Sequence, residues 1–498
     1  MVRPLLISDI LDIKMYLFKL KRQICVSEKI LGGAKNLLFS SIPFLYYFLP
    51  AVLLCYFAAP KKLKNAVLFV FSLVFYAWGE PVYVFLMAAS ITLAWAFGLL
   101  MERAKSAKAK KAFMIVSVCI SFAFLCYFKY ADFFIANFNA ATGLSVPLLR
   151  IALPVGISFY TFQIASYTID IYRGEAKAKR NIIDFGTYVV LFPQLIAGPI
   201  VRYADIALQL ENRTHTLEKT AYGIHRFCIG LGKKVLFANA FGELCSIFRE
   251  STEQTVLFYW IYAAGFMLQI YFDFSGYSDM AIGLGRIFGF TFLENFDFPY
   301  ISKSITEFWR RWHMSLGSWF RDYLYIPLGG SRTTKFRHIR NILVVWLATG
   351  LWHGAAWNFL IWGLYFGILL IIEKVWLYRH LEKSSVLSRV YLMFLVIIGF
   401  VIFNAGSMSE LLEYFGAMFG LTDIPFISDE CIYYLKSYIV LIIIGGVGAT
   451  PLPGKIASRL SERRIMTCAE PVVLCILFIV CTSFLIDNSF NPFLYFRF

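Results

Sequence analysis

Charge is what this sequence has least of. Of its 498 residues only 16% are Asp, Glu, Lys or Arg, while 59% are apolar. A soluble globular chain carries about 25% charged and about 45–50% apolar residues. This composition cannot furnish a water-facing shell, and a membrane is the expected solvent. The six histidines and ten cysteines form no C-x-x-C pair, no H-x-x-x-H and no clustered ligand set, so no metal is expected. Most cysteines lie inside apolar runs, where packing is their expected role. Gly329 and Gly330 lack the phosphate-loop pattern and read as a turn. No apolar core with a small-residue cleavage site precedes the first long apolar stretch, so that stretch is expected to act as its own targeting signal. Paired inverted halves are missing too, which argues against a transporter or flippase.

What is there is a succession of apolar blocks, from 42–57 to 471–485. Several, 66–78, 280–290 and 342–352 among them, are shorter than the ~20 residues that cross a bilayer core, and must be tilted, broken or re-entrant. The expected fold is all-α: a polytopic membrane protein with about eleven transmembrane helices, plus re-entrant and amphipathic interfacial helices around a tunnel. The net charge of +16 is not a nucleic-acid footprint. Its basic residues cluster between apolar blocks, at 61–64, 103–111, 173–180, 303–340, 374–389 and 455–464, as cytoplasmic loops do. One span after the last cluster places the C-terminus on the outer side. Residues 1–37 break this pattern with seven Lys or Arg and three acids; they are expected to be peripheral or not natively translated, ahead of a single membrane domain over 38–498 with its motif core at 151–372.

Chemistry is sought where polar groups withstand burial, since an ionisable residue at the bilayer centre costs at least ~2.5 kcal/mol. The stretch 295–332 reads as an amphipathic interfacial helix, with Phe308, Trp312, Trp319 and Tyr323 on one face beside Ser315, and Arg310, Arg311, Arg321 and Asp322 wettable. His313 adjoins the tryptophan stripe and can turn inward. His353 interrupts an apolar helix between Gly350 and Gly354, glycines that would let a backbone or an acyl chain come close. The alternative is a core histidine satisfied by Thr349 or a backbone carbonyl. A neutral imidazole can take the proton from a hydroxyl attacking a thioester or ester carbonyl, with His313 and Asn358 orienting the acceptor or holding the oxyanion.

The segments 153–163 (LPVGISFYTFQ), 192–202 (FPQLIAGPIVR), 272–279 (FDFSGYSD), the His313 stretch and 351–354 (LWHG) occur in order across the chain's middle. In these motifs the chain resembles the membrane-bound O-acyltransferase (MBOAT) family, in its bacterial polysaccharide branch typified by the alginate O-acetyltransferase membrane subunit. The resemblance implies that His353 is the family's essential histidine and that His313 occupies its second functional position. It also implies a tunnel joining the two faces of the bacterial inner membrane. The donor is then cytoplasmic acetyl-CoA, the acceptor lies outside, and a separate periplasmic SGNH-type acetyltransferase decorates the sugar. A teichoic-acid D-alanyl transferase is the nearest rival within the enzymes. Candidate substrate contacts are Asn358, Trp352, Trp309, Arg310, Ser315, Asp322, Gln194, Asp273 and Asp279. For Asp273 and Asp279 a counter-ion role outweighs a catalytic one, and Gln194, with Gly198 and Pro199, suggests a broken re-entrant helix.

Overall fold

The computed structural model describes residues 37–196, 198–461 and 464–487; the expectations for residues 1–36 and for the C-terminus lie outside them. Among the described residues regular structure is helical, apart from an isolated bridge between Phe296 and Trp312. Seven helices are long and apolar enough to cross a membrane. Shorter ones, such as Ile182–Val190 and Lys335–His353, interleave with them.

The apolar block 256–272, read from the sequence as a span of its own, joins most of 280–290 in one 32-residue helix, Val256–Ile287. Buried along most of its length, it is apolar nearly all round, as a core helix must be. Its main neighbour is the helix Leu217–Gly232, which runs into a π-helical turn at Lys233–Ala238. Glycines face each other along this seam: a Cβ on Gly230 would stand 2.6 Å from the Gly276 carbonyl oxygen, and one on Gly223 the same distance from that of Gly283. Such approach lets dispersion act between backbones where lipid offers no hydrophobic driving force.

Close contact also brings charges together. Lys234 Nζ lies 2.6 Å from Asp273 Oδ1, with both side chains only 3% exposed. Asp279 meets Arg226 and Lys233, each at 2.7 Å. The acids of the 272–279 motif are therefore helix-to-helix counter-ions, and their pairing keeps a polar stretch inside one continuous helix.

The 182–200 segment is broken, as expected. Helix Ile182–Val190 ends at Leu191 and a short turn of helix, Phe192–Leu195, follows with a proline in its first turn. The freed Phe192 N–H donates to Ser72 Oγ at 3.1 Å, the kind of rescue that irregular backbone needs in an apolar setting.

Lys234→Met should lower stability by about 3–5 kcal/mol, because it strands a buried carboxylate. Adding Asp273→Leu should recover most of that loss. Thermal melting of the detergent-solubilised variants reads both effects; a double variant no more stable than the single would contradict the counter-ion role.

Candidate active site

The helix Lys335–His353 starts on a Thr334 cap and ends at His353; after a turn the helix Trp357–Ile372 returns beside it. His353 thus terminates a helix instead of interrupting one. Of the close approaches expected beside Gly350 and Gly354, that of protein is found: a Cβ at Gly350 would strike the Phe359 carbonyl, one at Gly354 the Phe359 ring, and one at Gly363 the Trp346 carbonyl. The glycines close the hairpin and leave no passage for an acyl chain there. The imidazole is held between Trp352, Trp362 and Phe403, at ring-centroid distances of 4.9, 5.0 and 5.2 Å. Thr349 does not satisfy it, since its hydroxyl donates to Val345 O at 2.8 Å. His353 Nδ1 is buried with no hydrogen-bond partner among the described residues. It is one of several buried polar atoms in that state, and what distinguishes it is that it belongs to an imidazole lining a cavity.

The expected single amphipathic helix around His313 is two short ones, Ile305–Arg311 and Met314–Phe320. Between them His313 adopts φ 48° and ψ 52°, left-handed values that cost a non-glycine residue about 1–3 kcal/mol. Phe308, Trp312 and Trp319 are buried inside the protein and do not face lipid. Asn295 holds this turn. Its Oδ1 accepts from Ser315 N at 3.2 Å and Ser315 Oγ at 2.8 Å, and lies 3.1 Å from His313 Nδ1. The backbone donor identifies that atom as the oxygen, so a neutral His313 carries its proton on Nδ1. Ser315 Oγ in turn accepts from Ile200 N at 3.0 Å, tying the turn to the broken segment.

Both imidazoles pack against Trp352, His313 at 5.9 Å between ring centroids. A cavity of about 80 Å³ is lined by His353, Trp352, Phe159, Ser158, Lys129 and the loop from Leu153 to Gly156. On the other side of Trp352 an apolar cavity of about 440 Å³ is lined by Phe162, Trp319 and Tyr323 among others. Trp352 lines both cavities; they are the parts of the expected tunnel region described around His353.

Sequence reasoning missed Lys129 and Asn295. Lys129 Nζ donates to the Trp352 carbonyl at 2.6 Å and the His353 carbonyl at 3.0 Å, capping the histidine helix. The signal was present: a lysine flanked by Phe128 and Tyr130 inside the apolar helix Ala107–Thr142.

The other candidates are spread out. Arg310 lines a third cavity, of about 440 Å³, with His338, Lys374 and Arg379. Trp309 packs on Trp346, Trp362 and Phe366, linking that cavity to the wall of the His353 pocket. Asp322 binds Arg202 at 2.7 Å and Arg321 at 2.7 Å. Burial alone would push the Asp322 carboxyl up, but the Arg321 hydrogen bond and charge, with Arg202 behind, hold it below its usual value. Asn358 donates to the Phe403 carbonyl at 3.0 Å and is absent from the lining of the His353 cavity. Gln194 Nε2 donates to the Tyr188 carbonyl. Ser315, Asp322, Asp273, Asp279 and Asn358 thus all bind other parts of the chain.

Comparison with known proteins identifies the family. Residues 172–409 match the model of the MBOAT, membrane-bound O-acyltransferase family. A probable alginate O-acetylase, AlgI, of Azotobacter vinelandii is 39% identical over 499 residues, covering 93% of this chain and 100% of the relative. The peptidoglycan O-acetyltransferase of Helicobacter pylori is 30% identical, covering 93% and 98%. The teichoic acid D-alanyltransferase of Bacillus subtilis is 32% identical over 272 residues, covering 50% and 68%. With its apolar helices, the protein is a multi-pass integral membrane O-acyltransferase. The chain belongs to the membrane-bound O-acyltransferase family, in its alginate O-acetylase branch.

Proposed function

We propose that this enzyme takes an acetyl group from cytoplasmic acetyl-CoA and passes it to an acceptor on the outer side of the bacterial inner membrane, for O-acetylation of an extracytoplasmic polysaccharide. The observation that carries the reading is the imidazole of His353, buried yet lining a small cavity, with a ring nitrogen that no group among the described residues engages. In the proposed step the acceptor hydroxyl attacks the thioester carbonyl carbon and His353 removes its proton. The new C–O bond forms, the C–S bond breaks, and the proton goes on to the thiolate sulfur. His313, its Nδ1 held by Asn295 and its ring packed on Trp352, is assigned the supporting part of orienting the acceptor.

A cavity of about 80 Å³ around His353 suits a two-carbon acyl group. The third cavity supports an anionic donor: Arg310, His338, Lys374 and Arg379 line it without a carboxylate, as recognition of phosphate groups requires. It lies at the end of the histidine helix that carries the basic 303–340 segment, the side assigned to the cytoplasm. A sugar acceptor fits the relatives whose names specify alginate and peptidoglycan and which match nearly the whole chain. The D-alanyltransferase match covers half of it. The remaining partner is a periplasmic SGNH-type acetyltransferase that completes delivery to the polymer.

In proteoliposomes supplied with radiolabelled acetyl-CoA, His353→Ala should reduce acetyl transfer by about 10²- to 10⁴-fold while the protein stays monodisperse. Undiminished transfer would remove the assigned base. Arg310→Ala and Lys374→Ala should each raise KM for acetyl-CoA about tenfold to a hundredfold with little change in kcat. Unaltered KM values in both would place the donor elsewhere.

A further inference from the structure

Lys129 is more than a helix cap. It sits in the interior of the apolar helix Ala107–Thr142, and among the described residues no carboxylate stands within ion-pair distance of it. Lys129 is half-buried, and even partial removal of an ammonium from water without a counter-charge has a cost. Its next neighbour does similar capping work at no such expense: Tyr130 OH, a neutral donor, binds the Leu351 carbonyl. A neutral donor at position 129 would serve the helix end equally well, so the charge itself needs a reason.

The position supplies one. Lys129 lines the same small cavity as His353, and the partial negative charge of the helix C-terminus favours an ammonium there. Of its three N–H groups, two point to the Trp352 and His353 carbonyls at 2.6 and 3.0 Å. The third faces Ser158 Oγ at 3.4 Å, a length at the weak end for a hydrogen bond. That third donor is available to a better acceptor entering the cavity.

We propose that Lys129 is a catalytic residue of this acyl transfer, its Nζ donating a hydrogen bond to the carbonyl oxygen that turns into an oxyanion when the acceptor attacks. The inference rests on the reading of His353 as the base. As the new C–O bond forms, the carbonyl π pair moves onto oxygen beside the ammonium, which keeps its proton. Collapse restores the C=O bond and expels the thiolate, to which His353 delivers the hydroxyl's proton; Lys129 ends as it began. A fixed, pre-positioned cation stabilises such developing charge without the reorganisation that water would need.

The test compares Lys129→Gln, which keeps a donor but drops the charge, with Lys129→Arg, which keeps both, and Tyr130→Phe, which removes the neutral cap. His353→Ala runs alongside in the same proteoliposomes. Lys129→Gln should lose about 10²- to 10³-fold in kcat with KM little changed. Lys129→Arg should recover at least ten times the Gln activity, and Tyr130→Phe should stay near wild type. A Gln variant near wild type, or Gln and Arg equally impaired in folded protein, would overturn the proposal. Where Gln does not fold, the decision falls to the pH profile. Wild-type kcat should then decline on the alkaline side as the ammonium is lost, and Lys129→Arg should lack that decline; a profile shared by both would refute the role of charge. Should His353→Ala keep its activity, the base assignment fails. An inactive His353→Ala beside an active Lys129→Gln sinks only the proposal for Lys129.

Discussion

The contact on which the rest depends is the one between the helices Lys335–His353 and Trp357–Ile372. Glycines at 350, 354 and 363 allow carbonyls and a ring to sit where any Cβ would intrude. Only with the hairpin closed that tightly does the last residue of the first helix meet the wall of Trp362 and Phe403. Opposite that wall lies the cavity shared with Lys129 and Phe159. Loosening the hairpin would move the imidazole relative to every group around it. The geometry of the site is therefore a packing property before it is a chemical one.

A second theme is how so few charges are used. In the seam between Leu217–Gly232 and Val256–Ile287, acids and bases are matched at close range, and their function there is mutual neutralisation. Around His353 the pattern changes. Among the described residues Lys129 has backbone carbonyls in place of a carboxylate, and His353 keeps a ring nitrogen without a partner. Groups left with uncompensated capacity at a cavity mark where substrate, not protein, completes the network. The same contrast separates Asp322, locked by two arginines, from Arg310, which opens on a basic cavity.

Composition, the succession of apolar blocks and the ordered motifs were enough to read an all-helical membrane protein of this family. They could not reveal that the stretch around His313 breaks in two. A tryptophan stripe at helical spacing looks the same whether it faces lipid or protein, and the turn is held by Asn295, eighteen residues away. Nor did they join the two spans 256–272 and 280–290, because acids in an apolar run read as an interruption until their cations are in place.

What the sequence determined by itself is which segments leave water and which residue types could carry acyl transfer, because hydropathy and side-chain chemistry are local properties. Only the tertiary structure decided which polar groups stand together. Lys129 and His353 are 224 positions apart and meet through a carbonyl, a contact that no periodicity encodes. Asn358, five residues from His353, turns instead to the backbone of Phe403. Nearness along a chain sets candidates; hydrogen-bond satisfaction in a close-packed interior selects among them.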